Sequence, residues 1–312
     1  MNKSADFNLY YWCKTHPIAA SAGFTVGLSL LFFLFPTIDR SFTSLFYTPG
    51  EGFAAARMRG LNDFRNLASN LSVALPVMLG LCLTLKLLYP SKPCLVSPRV
   101  SCYFLGLFLI GPGLLVNGLL KSFWGRPRPV STQDFGGPWP FHEAWVMADH
   151  GLFNRSFTSG EAATVACLLP LALFVPREWR WQVTALVAIF VAATSLNRIA
   201  FGAHFLSDVT ISIALMLLIA AVLRYLMFVR HAAHWNDEVL EARLTRLGED
   251  GARSRAALAL RLRGASVAAW QKAGALAAVS RANTNGLLTH VSTLMARAGA
   301  SRLPGRQSSA VS

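Results

Sequence analysis

Residues 197–208 read Asn197-Arg198-Ile199-Ala200-Phe201-Gly202-Ala203-His204-Phe205-Leu206-Ser207-Asp208. This polar stretch stands between two apolar runs, 179–196 and 205–229. Each run is close to the about 17–25 residues that a helix needs to cross a bilayer. Ionisable groups at such a junction are costly beside lipid and usually serve a function. Outward from it lie four more apolar runs, at 18–36, 68–88, 102–120 and 157–176, the last of which carries Pro170 and a polar start. Backbone groups in lipid find partners only within helices or closed barrels, and barrel-type alternation is absent. The reading is an all-α, polytopic membrane bundle with six transmembrane helices. Composition agrees: 54% of the 312 residues are hydrophobic and 14% charged, against roughly a quarter charged in a soluble domain. Mean hydropathy is +0.43.

The first run is expected to stay in the mature protein, because no small-residue cleavage motif follows it. The formal net charge of +14 is explained by loops and a tail held on the cytoplasmic side. One set of connections, 1–17, 89–101, 177–178 and 230–312, carries Lys3, Lys14, Lys92, Arg99, Arg177 and an arginine-rich tail. In the other set, 37–67, 121–156 and 197–204, the basic residues are offset by Asp39, Glu51, Asp63, Asp134, Glu143 and Asp149. The expectation is a cytoplasmic segment 1–17, a membrane domain 18–229, and a basic cytoplasmic tail 230–312, partly helical or disordered. The tail has too few aromatics for base stacking, so no nucleic-acid partner is expected. Its arginines and its leucines at helical spacing suit either an anionic membrane surface or an extension with little role. The five cysteines, Cys13, Cys82, Cys94, Cys102 and Cys167, form no disulfide framework or metal pattern. Nothing in the chain sets an oligomeric state.

Helices that leave and re-enter on one side bring three polar clusters to one membrane face. They are Lys121 to Pro129 (Lys-Ser-Phe-Trp-Gly-Arg-Pro-Arg-Pro), Phe157-Thr158-Ser159-Gly160-Glu161, and the opening stretch 197–208. Lys121, Arg128 and Arg198 suit a phosphate dianion, since arginine offers a planar fork of donors and lysine a mobile charge. Ser159 and Gly160 precede a helix, whose free amides attract phosphate oxygens. His204 and Asp208, four apart at a helix start, share a face. Asp208 would hold the imidazole in one tautomer while the other nitrogen attacks phosphorus. An arginine beside a membrane helix is most often an interface anchor, and Arg126 reads so.

These clusters resemble the type 2 phosphatidic acid phosphatase family, PAP2, whose motifs are K-x6-RP, PSGH and SR-x5-H-x3-D. Lys121 and Arg128-Pro129 match the first at full spacing. Thr158-Ser159-Gly160-Glu161 stands at the second, and Asn197-Arg198, His204 and Asp208 match the third in spacing. The resemblance implies a metal-independent lipid phosphatase without cofactors. Its phosphate-binding residues would be Lys121, Arg128, Ser159, Gly160 and Arg198, with His204 as nucleophile and Asp208 as its partner. The partners it implies are a phosphorylated membrane lipid and the bilayer itself. Together with the loop charges, which put both termini in the cytoplasm, it leads to the expectation of a bacterial inner membrane with the site on the periplasmic side.

Thr158 replaces the family proline, Asn197 the serine and Glu161 the histidine that protonates the leaving alcohol. Glu161 belongs to the catalytic set by position, but it serves as an acid only if protonated. His142, Asp149 and His150 are other proton sources. The wording 157–163 is similar to a bacterial subset of the family, the lipid A phosphatases and related envelope enzymes. Hydrolysis of a phosphomonoester or pyrophosphate on a lipid A-like, isoprenoid or glycerophospholipid substrate is the expected activity. A lipid phosphotransferase and a non-catalytic lipid-binding relative are the alternatives. The loop 35–65 reads as an aromatic interfacial segment with a short helix near 54–65, either covering the site or simply connecting helices.

Overall fold

The computed structural model describes residues 9–148 and 155–300, so Asp149 and His150 lie outside the described residues. The chain divides into two compact units, Met1–Gly248 and Glu249–Ser312. The elements are α1 (Leu9–Thr15), α2 (Pro17–Leu34), α3 (Thr37–Ser44), α4 (Arg59–Leu88), α5 (Pro98–Phe123), α6 (Gly160–Ala166), α7 (Arg180–Ala200), α8 (Leu206–Tyr225) and α9 (Asp237–Ala300). Helix starts follow local chemistry. Pro17 opens α2 and Pro98 opens α5, where a missing N–H costs nothing. The Ser97 side chain accepts from Val100 N at 3.2 Å and caps α5.

Among the described residues five helices are long and apolar enough to cross a membrane: Pro17–Leu34, Arg59–Leu88, Pro98–Phe123, Arg177–Ala200 and Leu206–Arg230. The run 157–176, expected as a full crossing, is shorter. It forms α6 and then a 3-10 turn, Leu169–Leu173. Pro170 stands in that turn, where it has no N–H to donate and its ring disfavours continuing the α-helix. The short helix expected near 54–65 is also corrected. Ala54–Arg57 is a 3-10 turn, and α4 begins at Arg59 rather than near residue 68. Asn62 Nδ2 donates to the Ala56 and Met58 carbonyls at 2.9 and 3.1 Å, tying the polar first turns to the loop. This places Arg65 on a rigid helix.

Within the first unit α8 is the central helix, packed by α2, α3, α5 and α6. Tyr103, Phe104, Leu107, Val116, Cys167 and Met216 form its largest core cluster. Gly111 packs directly against the Met216 side chain, so α5 and α8 approach closely there. The start of α9 is latched to the loop after α4: Asp237 accepts from Ser97 Oγ and Arg99 N at 2.7 and 3.0 Å. Of the second unit, residues 249–300 are helical, with leucines such as Leu258 and Leu262 exposed.

Candidate active site

The middle of α5, Leu109–Leu120, is wound as a π-helix, a form that recurs at functional sites. Asn117 Nδ2 donates to the Pro112 carbonyl at 2.6 Å, and Lys121 follows one turn on. Both reach toward the start of α6. A Cβ built on Gly160 would lie 2.9 Å from Lys121 Nζ and 3.1 Å from Asn117 Oδ1, so glycine makes room for the ammonium group. Ser159 caps α6 by accepting from Ala162 N at 3.3 Å, a weak cap. Its own N–H donates to the Asp208 carbonyl at 3.2 Å, and its carbonyl accepts from Ser212 Oγ at 2.9 Å. These bonds stitch the start of α6 to α8. Lys121, Gly160 and Glu161 line a cavity of about 210 Å³ with Ser69, Asn117 and Thr194.

Glu161 lies between two guanidinium groups. Arg65 Nε and Nη2 donate to its Oε1 at 3.0 and 2.7 Å, and Arg198 Nε lies 3.2 Å from Oε2 without hydrogen-bond alignment. Arg198 is only 6% exposed, yet its Nε and Nη1 have no acceptor among the described residues. Donors buried in this way are rare and call for an explanation. Arg128 is exposed, and its charge acts on Lys121 and Arg198.

His204 sits in the turn between α7 and α8. Gly202 makes this turn with φ +64°, and a Cβ there would be 2.4 Å from the Phe53 ring. Buried Phe53 thus brings the loop before α4 over the turn, in a cluster with Phe135 and Phe205. His204 Nδ1 lies 2.8 Å from the Ser156 carbonyl and 3.7 Å from Asp208 Oδ2. A carbonyl only accepts, so Nδ1 carries the proton and Nε2 keeps its lone pair. The expected direct bond to Asp208 is therefore relayed. Asp208 accepts from Ser156 Oγ at 2.6 Å, Phe205 N at 2.9 Å and Arg126 Nη1 at 2.6 Å, and so fixes the segment that holds the imidazole. Burial lowers the His204 pKa from its ordinary value; Asp208 opposes this, and the Arg198 and Lys121 charges add to it.

Arg126 corrects the interface-anchor reading, because it is wholly buried. Nη2 meets Asp39 Oδ2 at 2.9 Å, Nη1 donates to Asp208 and to Ser207 Oγ (2.8 Å), and Nε donates to the His142 carbonyl at 2.9 Å. The Phe205 ring lies beneath it, 4.6 Å from Cζ. Burial disfavours its charge, but Asp208 and Asp39 outweigh this and hold its pKa above the usual arginine value. In Arg126-Pro127-Arg128-Pro129 each arginine precedes a proline and is biased to extended backbone. Arg126 turns inward and is wholly buried, whereas Arg128 is exposed. Sequence reading missed Asp39, Arg65, Ser156 and Ser207. The doubled Arg-Pro was a usable signal for Arg126. Asp39 stands 87 positions from Arg126 and gave none.

Among the described residues no three His, Cys, Asp or Glu side chains are grouped to hold a metal ion. An apolar bundle that gathers a lysine, two arginines and a buried histidine at one end defines a membrane lipid phosphatase: the chain belongs to the PAP2 superfamily, whose profile matches residues 100–232. It is an integral membrane hydrolase that acts on a phosphate group of a membrane lipid. More particularly, it is similar to "Lipid A 4'-phosphatase" of Rhizobium leguminosarum, 36% identical over 210 residues, covering 63% of this chain and 90% of that one. The protein of the same name from Rhizobium etli is 38% identical over 211 residues, covering 63% and 82%. That of Francisella tularensis subsp. novicida is 30% identical over 187 residues, covering 58% and 82%. A crystal structure of the PAP2 type phosphatidylglycerolphosphate phosphatase from Bacillus subtilis is similar at 18% identity and TM-score 0.44, covering 68% of this chain and 96% of that chain.

Proposed function

We propose that the chain hydrolyses a phosphomonoester on a lipid A-like glycolipid, at the periplasmic face of a bacterial inner membrane, through a phosphohistidine at His204. The observation that carries this reading is the buried Arg198 fork, whose Nη1 has no acceptor among the described residues and whose Nε meets Glu161 without hydrogen-bond alignment, in one site with Lys121 and His204. Lys121, Arg128 and Arg198 hold the phosphate oxygens, and the amide at Gly160 adds the helix N-terminus. His204 Nε2 attacks phosphorus as the bond to the lipid oxygen breaks, and that oxygen takes a proton from water. The Ser156 carbonyl and Asp208 stabilise the charged ring. Water then attacks phosphorus, the P–N bond breaks, and inorganic phosphate leaves. Glu161, paired with Arg65 and Arg198, orients Arg198 rather than donating a proton.

The three relatives named for lipid A support the substrate class. The short Gly160–Leu173 segment serves as the fourth of six crossings, which puts both termini of the 18–229 membrane domain in the cytoplasm. Residues 230–312 form its basic cytoplasmic tail. The test is release of inorganic phosphate by purified protein from lipid A, undecaprenyl pyrophosphate, phosphatidylglycerol phosphate and phosphatidic acid. Lipid A is expected to be turned over fastest. Phosphate appearing on another lipid instead of in solution would replace hydrolysis with phosphotransfer. His204→Ala is expected to lower the rate about 10³-fold or more. Retention of more than about a tenth of the rate would sink the covalent step.

A further inference from the structure

A second cavity, about 730 Å³, opens between the end of α1, the start of α2, α5, the Leu169–Leu173 turn, α7 and α8. That volume lies within the about 300–1,000 Å³ of ordinary ligand sites. The 3-10 turn at Leu169–Leu173, where the fourth helix has already ended, forms part of the cavity wall. Its walls are apolar, with Tyr103, Leu173, Leu217 and Ala221 among them. Each wall residue lies on the half of its helix away from His204. Thr184 precedes Arg198 on α7, and Ala221 and Arg224 follow Asp208 on α8. At about 1.5 Å of rise per residue this separates the cavity from the phosphate cradle by roughly 20 Å. It is a different site, at the end of the bundle where α2 begins.

Two cations line the cavity, Lys14 at the end of α1 and Arg224 at the end of α8. Both are exposed, and among the described residues neither has an ion-pair partner. An apolar cleft between membrane helices with unpaired cations at its edge matches one chemistry, an acyl chain joined to an anionic head group. We propose that this cavity binds an anionic phospholipid of the leaflet facing the termini, its phosphate held by Lys14 and Arg224 and one tail laid against Leu173, Leu217 and Ala221.

The test titrates delipidated full-length protein in detergent with phosphatidylglycerol and, separately, with phosphatidylcholine of the same chains. Bound lipid is counted by native mass spectrometry and Tm is followed in parallel. Wild type is expected to retain phosphatidylglycerol about ten-fold or more tightly than phosphatidylcholine, from two cations near the head group. The double variant Lys14→Gln/Arg224→Gln is expected to lose that preference while remaining monodisperse. Ala221→Trp, which fills the cleft, is expected to weaken both lipids. Equal retention of the two lipids by wild type, or an unchanged preference in the double variant, overturns the site. Both substituted cations are exposed, so folding is not at stake in that variant.

Discussion

Glu161 stands where the family carries a proton-donating histidine, and its surroundings decide what it can do. A carboxylate flanked by Arg65 at 2.7 Å and Arg198 at 3.2 Å is held ionised and has no proton to give. Glu161→Gln keeps the size and the acceptor oxygen. It is expected to slow an alkyl phosphate and an activated aryl phosphate by the same factor, below about tenfold, against the about 10²–10⁴ of a lost general acid. A loss confined to the alkyl phosphate restores Glu161 as the proton donor. Arg65→Gln is expected to reproduce the effect, and the double variant to cost no more than the larger single change, because the two act as one unit. At His204, burial keeps the attacking imidazole neutral below its ordinary pKa of about 6.5, against the pull of Asp208. The sign follows directly: protonation abolishes attack, so the acid limb of kcat/KM is expected below about pH 6.5. A limb at or above that value would mean that the imidazole is not shielded. The same burial makes the folded state bind fewer protons than the unfolded chain, so this group favours unfolding as pH falls below about 6.5.

The segment Arg126-Pro127-Arg128-Pro129 divides two jobs between neighbouring arginines. Arg126 ties α3, through Asp39, to the start of α8, through Ser207 and Asp208. Removing it leaves two buried carboxylates without their cation, a type of loss that costs about 3–5 kcal/mol. Arg126→Met is therefore expected to lower the thermal unfolding temperature sharply. Arg126→Lys is expected to rescue only part, because one ammonium cannot reproduce the forked bonds. Arg128→Gln, at an exposed position, is expected to leave that temperature unchanged and to raise KM. A thermal scan of the three variants beside substrate kinetics checks the division; equal destabilisation by Arg126→Met and Arg128→Gln would remove it. The element was half legible beforehand. The matching Lys121 and Arg128 spacing named the outward arginine, whereas the inward one looked like an interface anchor because its two acids come from distant positions.

For the whole molecule, the proposed six crossings would put both ends of the membrane domain on one side. Reporter fusions at Met1 and after Arg230 are expected to read cytoplasmic, and a tag near Asp134 extracytoplasmic, as the basic bias of the short loops requires. Cytoplasmic labelling near Asp134 would invert the topology and move the reaction to the other leaflet. Five of the six runs became full-length helices, long and apolar enough among the described residues to satisfy their own backbone in lipid. The remaining run fell short at Pro170. The second cavity is lined in part by the turn that follows α6.

By itself the sequence determined the all-α membrane bundle and the family, and it supplied the candidate site residues. Those depend on local quantities: hydropathy along the chain, and the spacing of Lys121, Arg128, Arg198, His204 and Asp208. Only the tertiary structure decided which groups those residues answer to. His204 takes its tautomer from the Ser156 carbonyl, Asp208 is bound to a buried Arg126, and Glu161 is paired with Arg65 across 96 positions. Electrostatic partnership is set by distance in space. In a helical bundle the residues that meet at one membrane face come from segments far apart in the chain, so spacing along one segment cannot reveal a partner supplied by another.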